Sequence, residues 1–249
     1  MRGLKKVDTI EKIKIRIQPI FNANTMDISY GEVLLNIDNR IGTSRLIKYV
    51  NNNGLCEKLD RSILKRAVKL LSGMRQNIGL SMNLCERTLE KVGIYEEILE
   101  TMESDDGIKE RLVLEVNEYT NYENKVVEIN IKKLRDNGVK LAMDDFGIGN
   151  SNIENLYKFK MDIIKFDKVY VGLDKSKLKQ LKAFINCLHT MGMDTVIEGV
   201  ETIKDLEFVK DAGYKNIQGF LLGMPVSVDE FRKLCKLKSY KGARGSGSR

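Results

Sequence analysis

The sequence has no tryptophan, only two prolines, a single histidine and four cysteines. One histidine cannot build a histidine-rich metal site, and it strongly disfavours a Ser-His-Asp triad, so we interpret His189 as structural. The cysteines are widely separated and include no Cys-x-x-Cys pair, which argues against a zinc site and a disulfide framework. We therefore expect reduced thiols at Cys56, Cys85, Cys187 and Cys235.

The chain also lacks any apolar run near the roughly 20 residues that a membrane span requires. Its first eight residues contain no apolar region of the kind found in signal peptides. Hydrophobic residues make up 42% and charged residues 31%, as in ordinary soluble globular proteins. The sequence therefore predicts a cytoplasmic protein without a membrane span.

The formal charge of +7 comes entirely from the C-terminal end of the chain. From Arg232 onward there are seven basic residues and no acidic one, and the rest of the chain carries 35 of each. We expect a single domain over residues 1–240, followed by a flexible or non-native tail over residues 241–249. Because the body of the chain is neutral, binding of a polymeric nucleic acid is disfavoured, and a small anionic ligand is still allowed.

Strand and helix patterns alternate along the chain. Strands are predicted at residues 12–20, 28–35, 78–84, 111–116, 139–143, 162–166, 194–197 and 217–220. Helices are predicted at residues 44–52, 59–74, 95–103, 124–136, 152–159, 175–191, 203–212 and 228–237. Pro19 is expected to end the first strand, and a short linker lets the first two strands form an antiparallel hairpin.

These elements predict an α/β fold, a TIM-like (β/α)8 barrel with an antiparallel first strand. An open doubly wound sheet is the alternative, but no Gly-x-Gly-x-x-Gly turn follows the first strand. In a barrel of this kind, chemistry takes place at the carboxyl ends of the strands.

Polar side chains recur at these strand ends. Because side chains alternate along a strand, Asn83 shares a face with Ser81, and Glu115 shares one with Val113, opposite the larger apolar residues. The same sorting turns polar residues of seven strands toward the barrel mouth: Glu32, Asn83, Glu115, Asp144, Lys165 with Asp167, Glu198 and Gln218. Polar side chains that face the same way at the ends of seven strands predict a functional site.

The sequence Asp144-Asp145-Phe146-Gly147 would, in isolation, suit a solvated turn equally well. In the context of the other strand ends, several carboxylates converge with one lysine, and they would repel one another unless cations bind among them. Ligation by oxygen atoms alone favours Mg²⁺ or Mn²⁺. Adjacent Asp144 and Asp145 could hold two such ions, and Lys165 could orient a nucleophile or offset developing charge.

Eight short motifs occur in one order along the chain. They are Gln18-Pro19-Ile20, Glu32-Val33-Leu34, Asn83 in Ser-Met-Asn-Leu, Leu114-Glu115-Val116-Asn117-Glu118, Asp144-Asp145-Phe-Gly-Ile-Gly, Ile164-Lys165-Phe166-Asp167, Glu198-Gly-Val-Glu201 and Gln218-Gly-Phe. Through them, from about residue 12 to residue 234, the chain resembles the EAL-domain phosphodiesterases, which linearise cyclic di-GMP.

The resemblance implies a ligand set for two Mg²⁺ or Mn²⁺ ions. Glu32, Asn83, Glu115 and Asp144 would ligate one metal, and Asp144 would bridge to a second metal that Asp145 also holds.

The resemblance also implies roles for residues around the metals. Lys165 and Glu198, together with Glu32, would be catalytic, and Glu118 would anchor the loop that follows Asp145. Substrate-binding residues would be Gln18, Asp167 and Gln218. The implied partners are cyclic di-GMP, a second copy of the chain in a homodimer, and a sensor or regulatory domain outside this chain.

The chain departs from the family pattern at several places, and three of them concern substrate contact and the loop after Asp145. Asn36 replaces an arginine that is expected to contact substrate phosphate, and Ile148 and Asn150 replace threonine and tyrosine in the loop after Asp145. These changes leave two other interpretations open: an EAL-type cyclic di-GMP receptor or scaffold that is weak or inactive as an enzyme, and a barrel enzyme acting on other phosphate esters.

Overall fold

The computed structural model describes residue 10 and residues 13–36, 42–75, 77–103, 107–148 and 153–242. Within them, eight strands close into one barrel in sequence order. The strands are β1 (Lys14–Asn22), β2 (Ile28–Asn36), β3 (Gly79–Asn83), β4 (Leu112–Asn117), β5 (Lys140–Phe146), β6 (Ile163–Phe166), β7 (Asp194–Ile197) and β8 (Asn216–Ile217).

The first strand runs against both of its neighbours. β1 pairs antiparallel with β2 along its length and with β8 at Phe21 and Asn22, whereas the strands from β2 to β8 pair in parallel. The predicted barrel with an antiparallel first strand is therefore confirmed.

Ten helices of the described residues surround the barrel. They are α1 (Thr43–Asn52), α2 (Cys56–Ser72), α3 (Glu86–Leu89), α4 (Ile94–Met102), α5 (Ile108–Arg111), α6 (Lys125–Asp136), α7 (Ile153–Phe159), α8 (Lys175–Thr190), α9 (Ile203–Ala212) and α10 (Val228–Gly242). Local sequence fixes several of their ends. Thr202 and Asp205 form a reciprocal capping box at the start of α9, and Gly213 ends that helix with a φ of 91°.

The core has two apolar layers. The larger layer lies between strands and helices and includes Leu80, Leu114, Ile164 and Phe166. The smaller layer fills the barrel interior with Ile20, Tyr30, Val113, Ala142, Ile163 and Val196. Five of these inner residues lie two positions before a polar residue of the predicted site, as the period of two requires.

Pro19 lies inside β1 and does not end it, which corrects the sequence prediction. Ile17 exchanges backbone hydrogen bonds with Val226 on the side of β1 that faces β8, and pairing with β8 begins only at Phe21. By alternation, the nitrogen of Pro19 faces the gap between these two contacts, so the missing N–H costs no ladder bond.

Two other boundaries also differ from prediction. β8 ends at Ile217, because residues 218–222 form a turn, and β5 continues through both aspartates to Phe146. Of the tail expected over residues 241–249, Lys241 and Gly242 belong to α10, and residues 243–249 lie outside the described residues, as does Asn150. None of the helices in the described part of the chain has the length and apolarity to cross a membrane.

Candidate active site

Lys165 stands at the centre of the barrel mouth, almost fully buried, and side chains from four other strands point at its ammonium group. Its Nζ atom lies 2.8 Å from Glu115 Oε2, 2.7 Å from Glu198 Oε1 and 3.6 Å from Glu32 Oε2. Asp144 Oδ1 is also 2.8 Å away, as a charge contact whose angles do not make a hydrogen bond. The structure thus brings together carboxylates from β2, β4 and β5 and from Glu198, the residue after β7.

Amide side chains hold Glu32 on both sides. Asn83 Nδ2 donates to Glu32 Oε1 at 3.1 Å, and Gln218 Nε2 donates to Glu32 Oε2 at 2.7 Å. Gln218 Nε2 also reaches Gln18 Oε1 at 3.2 Å, and Gln18 Nε2 donates to the Gly223 carbonyl at 3.1 Å. Gln18 and Gln218 therefore support Glu32 from within the barrel, and a direct contact of either with substrate stays a prediction.

Asp144 and Asp145 are neighbours on β5, where an ideal strand would turn them to opposite faces. The register against β6 shifts between Met143 and Phe146, and Asp145 has a φ of 58°. This left-handed conformation re-aims the chain, so that Asp144, Asp145 and Glu198 each offer a carboxylate oxygen within 4.8 Å of the others. Asn117 Nδ2 fixes Asp145 through a hydrogen bond of 3.1 Å to Oδ2.

The charges of the cluster shift the pKa values of its members. Burial alone would lower the pKa of Lys165, but Glu115, Glu32 and the other carboxylates outweigh burial and raise that pKa. Burial raises the pKa of Glu115, with Lys165 opposing the shift. Burial also raises the pKa of Glu198 to about 7, again against Lys165, and burial followed by Asp144 raises the pKa of Asp145. The lysine is therefore a fixed positive charge among carboxylates that favour a further cation.

The donor set fits a hard divalent cation. All available donors are carboxylate or amide oxygens, and neither a thiolate nor an imidazole of the described residues belongs to the cluster. Glu115 Oε1 is fully buried and has no hydrogen-bond partner in the structure, a condition that is rare for a carboxylate oxygen. A bound cation would satisfy it.

The segment after Asp145 is fixed by Glu118. Glu118 Oε2 accepts a hydrogen bond of 2.9 Å from the backbone N–H of Gly147, and the Tyr170 hydroxyl donates to the Gly147 carbonyl at 3.4 Å. Asp167 follows β6, and its Oδ1 accepts from Val169 N–H at 2.8 Å, which starts a short 3-10 turn. The functional roles predicted for Glu118 and Asp167 stay predictions.

Two buried hydroxyl groups lie beneath the cluster and were not among the predicted site residues. Tyr30 OH and Ser81 Oγ are both buried and have no hydrogen-bond partner in the structure. Tyr30 lies two residues before Glu32, and Ser81 lies two residues before Asn83, so the period of two already placed both on the inner face. The alternation of side chains therefore indicated their position, but it did not indicate a role for a hydroxyl group two residues before a site residue.

Comparison with known proteins identifies the family. The sequence model of the EAL domain matches residues 8–225. The chain belongs to the EAL domain family. This EAL domain is 25% identical over 236 residues to the cyclic di-GMP phosphodiesterase NbdA of Pseudomonas aeruginosa, covering 89% of this chain and 30% of that protein. It is 27% identical over 240 residues to the oxygen sensor protein DosP of Escherichia coli, covering 92% of this chain and 30% of DosP.

The EAL domain also superimposes on solved structures. The PaMucR phosphodiesterase in complex with c-di-GMP aligns with a TM-score of 0.82 at 22% identity, covering 93% of this chain and all of that chain. At this identity the likeness shows the fold alone. The chain spans less than a third of the length of NbdA and DosP.

Proposed function

We propose that this EAL domain hydrolyses cyclic di-GMP to linear 5′-phosphoguanylyl-guanosine with the help of two Mg²⁺ or Mn²⁺ ions. The observation that supports this most strongly is the convergence of acidic side chains on one buried lysine from separate strands. With Asp145 included, five carboxylates face one ammonium group, so the fully ionised cluster has a formal charge of −4. Two divalent cations would neutralise that charge.

The ligands of the two ions would come from strand ends that the structure already brings close together. They are Glu32, Asn83, Glu115, Asp144 and Asp145. Divalent cations bound there lower the pKa of water and neutralise charge on a phosphodiester. That is the chemistry which the opening of a cyclic dinucleotide requires.

Side chains of the chain itself prepare the attack on phosphorus. Glu198 lies beside Asp144 and Asp145 and is less buried than Glu115, which suits it to accept a proton from the attacking water. Lys165 holds Glu198 at 2.7 Å and offsets charge that develops on the phosphate oxygens. Gln218 keeps Glu32 in position through its hydrogen bond of 2.7 Å.

The proposed substrate contacts rest on the resemblance to the EAL family. Gln18, Asp167 and Gln218 are the proposed substrate-binding residues, and Glu118 is the proposed anchor of the segment at Gly147. Two relatives support cyclic di-GMP as the ligand, since NbdA and E. coli PdeR are both named cyclic di-GMP phosphodiesterases. Asn36 stands where the family pattern has an arginine expected to contact substrate phosphate, so we expect weaker substrate affinity than in a domain with arginine there.

The test is incubation of the pure protein with cyclic di-GMP and Mg²⁺ or Mn²⁺, with the products separated by chromatography. We expect linear dinucleotide, and its loss in EDTA. Glu32→Gln keeps the size of the side chain but removes a charged ligand, so turnover should fall by at least about 100-fold. Glu100→Gln, on the exposed side of α4, is the matched control and should retain activity.

Tight binding of cyclic di-GMP without linear product would contradict the proposed phosphodiesterase activity and would indicate a cyclic di-GMP receptor. Circular dichroism of each variant shows whether a loss reflects chemistry or unfolding.

A further inference from the structure

Two cysteines that are distant in sequence meet next to the barrel mouth. Cys56 is the first residue of α2, and Cys85 directly precedes α3. Cys56 Sγ lies 2.8 Å and Cys85 Sγ lies 3.5 Å from the same atom, Asn51 Oδ1. Both thiols thus contact one acceptor, and each sulfur also lies close enough to influence the pKa of the other.

The surroundings keep both thiols protonated, and a cavity lies next to them. Burial raises the pKa of Cys56, and it raises the pKa of Cys85 to about 12, so both are thiols at neutral pH. Asp60 Oδ2 accepts a hydrogen bond of 2.9 Å from the Cys85 N–H and fixes the backbone there. Both residues line a cavity of about 530 Å³; Cys56 is buried and Cys85 is partly exposed.

We propose that Cys56 and Cys85 form a dithiol modification site that takes peroxides as two-electron oxidants and closes as an intramolecular disulfide. In the first step Cys85 gives up its thiol proton, and the small thiolate fraction attacks hydrogen peroxide; the O–O bond breaks, the sulfur becomes a sulfenic acid, and the departing hydroxide takes up the proton to leave as water. In the second step Cys56 attacks that sulfur, and a second water leaves as the S–S bond forms. The two thiols lose two electrons and two protons, and the peroxide gains them.

The position of the pair gives the bond a structural consequence. It would tie the start of α2 to the segment after β3, two residues beyond Asn83. The same cavity is lined by Asn83 and Asn117, which contact Glu32 and Asp145 respectively. The disulfide would therefore replace two thiol contacts to Asn51 with a covalent link in the wall beside the acidic cluster.

The experiment treats the pure, fully reduced chain with hydrogen peroxide and counts thiols after denaturation. In the Cys187→Ser variant, which removes the exposed thiol, we expect loss of two of the three remaining thiols, a loss of about 2 Da and a cross-linked peptide pair containing Cys56 and Cys85, all reversed by dithiothreitol. The raised pKa values make a slow reaction, so the time course should extend over hours. This readout does not require hydrolytic activity, and it stands whether or not cyclic di-GMP is cleaved.

Variants identify the pair. Cys85→Ser and Cys56→Ala should each abolish the cross-linked peptide, whereas Cys187→Ser and Cys235→Ser should leave it unchanged. Because Cys85→Ser and Cys56→Ala each remove one partner of the disulfide, the test still holds if one of the two variants misfolds. Circular dichroism checks the folding of both. Oxidation that stops at sulfinic acid, or a cross-link that joins other cysteines, would overturn the proposal.

Discussion

Lys165 is a buried ammonium group whose charge is balanced by carboxylates of other strands. When no metal is bound, its ammonium group supplies the positive charge of the cluster, since Glu115, Asp144 and Glu198 all lie within 2.8 Å of its Nζ atom. Removing one partner of a buried ion pair usually costs more than the pair itself contributes, because the other charges stay behind without compensation.

Lys165→Met should therefore destabilise the protein strongly when metal is absent. We expect a loss of about 3–5 kcal/mol in the free energy of unfolding in EDTA, with partial recovery in Mg²⁺, because a divalent cation can replace the missing charge. Urea unfolding in the two buffers measures both values.

The matched control is Lys182→Met. Lys182 lies 2.7 Å from Asp211 on the surface, and such exposed pairs contribute less than about 1 kcal/mol. If Lys165→Met were no more destabilising than this control, the buried lysine would not balance the cluster.

At the scale of single residues, the inward set of polar side chains could be predicted from alternation, because a period of two needs only the sequence. The conformation of Asp145 could not, since its φ of 58° depends on the register shift against β6. The hydrogen bonds through which Gln18 supports the position of Glu32 could not be predicted either, because its partners Gln218 and Gly223 are about 200 residues away in the sequence.

Among the elements, β8 is the shortest of the eight strands, and Gln218 is the residue directly after it. The next residue, Gly219, packs directly on the backbone after β7: a Cβ atom there would lie 2.0 Å from the Val200 carbonyl oxygen. Val200 N–H donates to the Gln218 carbonyl at 3.1 Å, so this contact also sets the position of Gln218.

Gly219→Ala should therefore shift Gln218 away from Glu32 as well as destabilise the fold. We expect a loss of about 1–3 kcal/mol from overpacking, together with a fall in turnover at temperatures where the variant is still folded. Urea unfolding and the cyclic di-GMP assay measure the two effects.

Gly213→Ala provides the comparison. Its φ of 91° penalises alanine by about 1 kcal/mol, but a Cβ atom there meets no other atom within 4 Å. It should lose stability without losing turnover. Equal turnover in the two variants would show that the Val200 contact does not position Gln218.

The elements themselves were largely predictable, since the period of each long helix and strand identified it. The four-residue helices α3 and α5 were missed because one turn has no repeating apolar pattern. Pro19 was misassigned because the sequence does not show which side of β1 lacks a ladder partner.

For the whole molecule, stability should depend on pH through a carboxyl group outside the mouth. Asp60 on α2 is buried and accepts hydrogen bonds from Cys85 N–H and from Thr88 Oγ1 at 2.6 Å. Burial raises its pKa from 3.8 to about 7, in spite of these two hydrogen bonds. The folded state thus retains a proton between about pH 4 and pH 7 that the unfolded state releases.

A carboxyl group with a raised pKa stabilises the fold below its unfolded pKa, and that contribution is lost as pH rises to about 7. Asp60→Asn keeps an acceptor without the titration. We expect the stability of the wild type relative to Asp60→Asn to fall by about 2–4 kcal/mol between pH 4 and pH 8. Urea unfolding across that range measures it, and a constant difference would contradict the prediction.

The closed barrel was predictable as a whole because its eight strands and intervening helices leave few other architectures. The homodimer, the regulatory domain, the domain boundary at residue 240 and the cytoplasmic location are still predictions. The first two depend on surfaces or partners that a single chain does not contain.

The positive φ of Asp145 also limits which residues can replace it during evolution. Glycine, asparagine and aspartate adopt this backbone region at low cost, whereas β-branched residues do not. Glycine and asparagine would therefore yield folded chains that have lost one charge at the mouth. Single-nucleotide changes from either aspartate codon reach both residues, so folded relatives without that charge lie one mutation away.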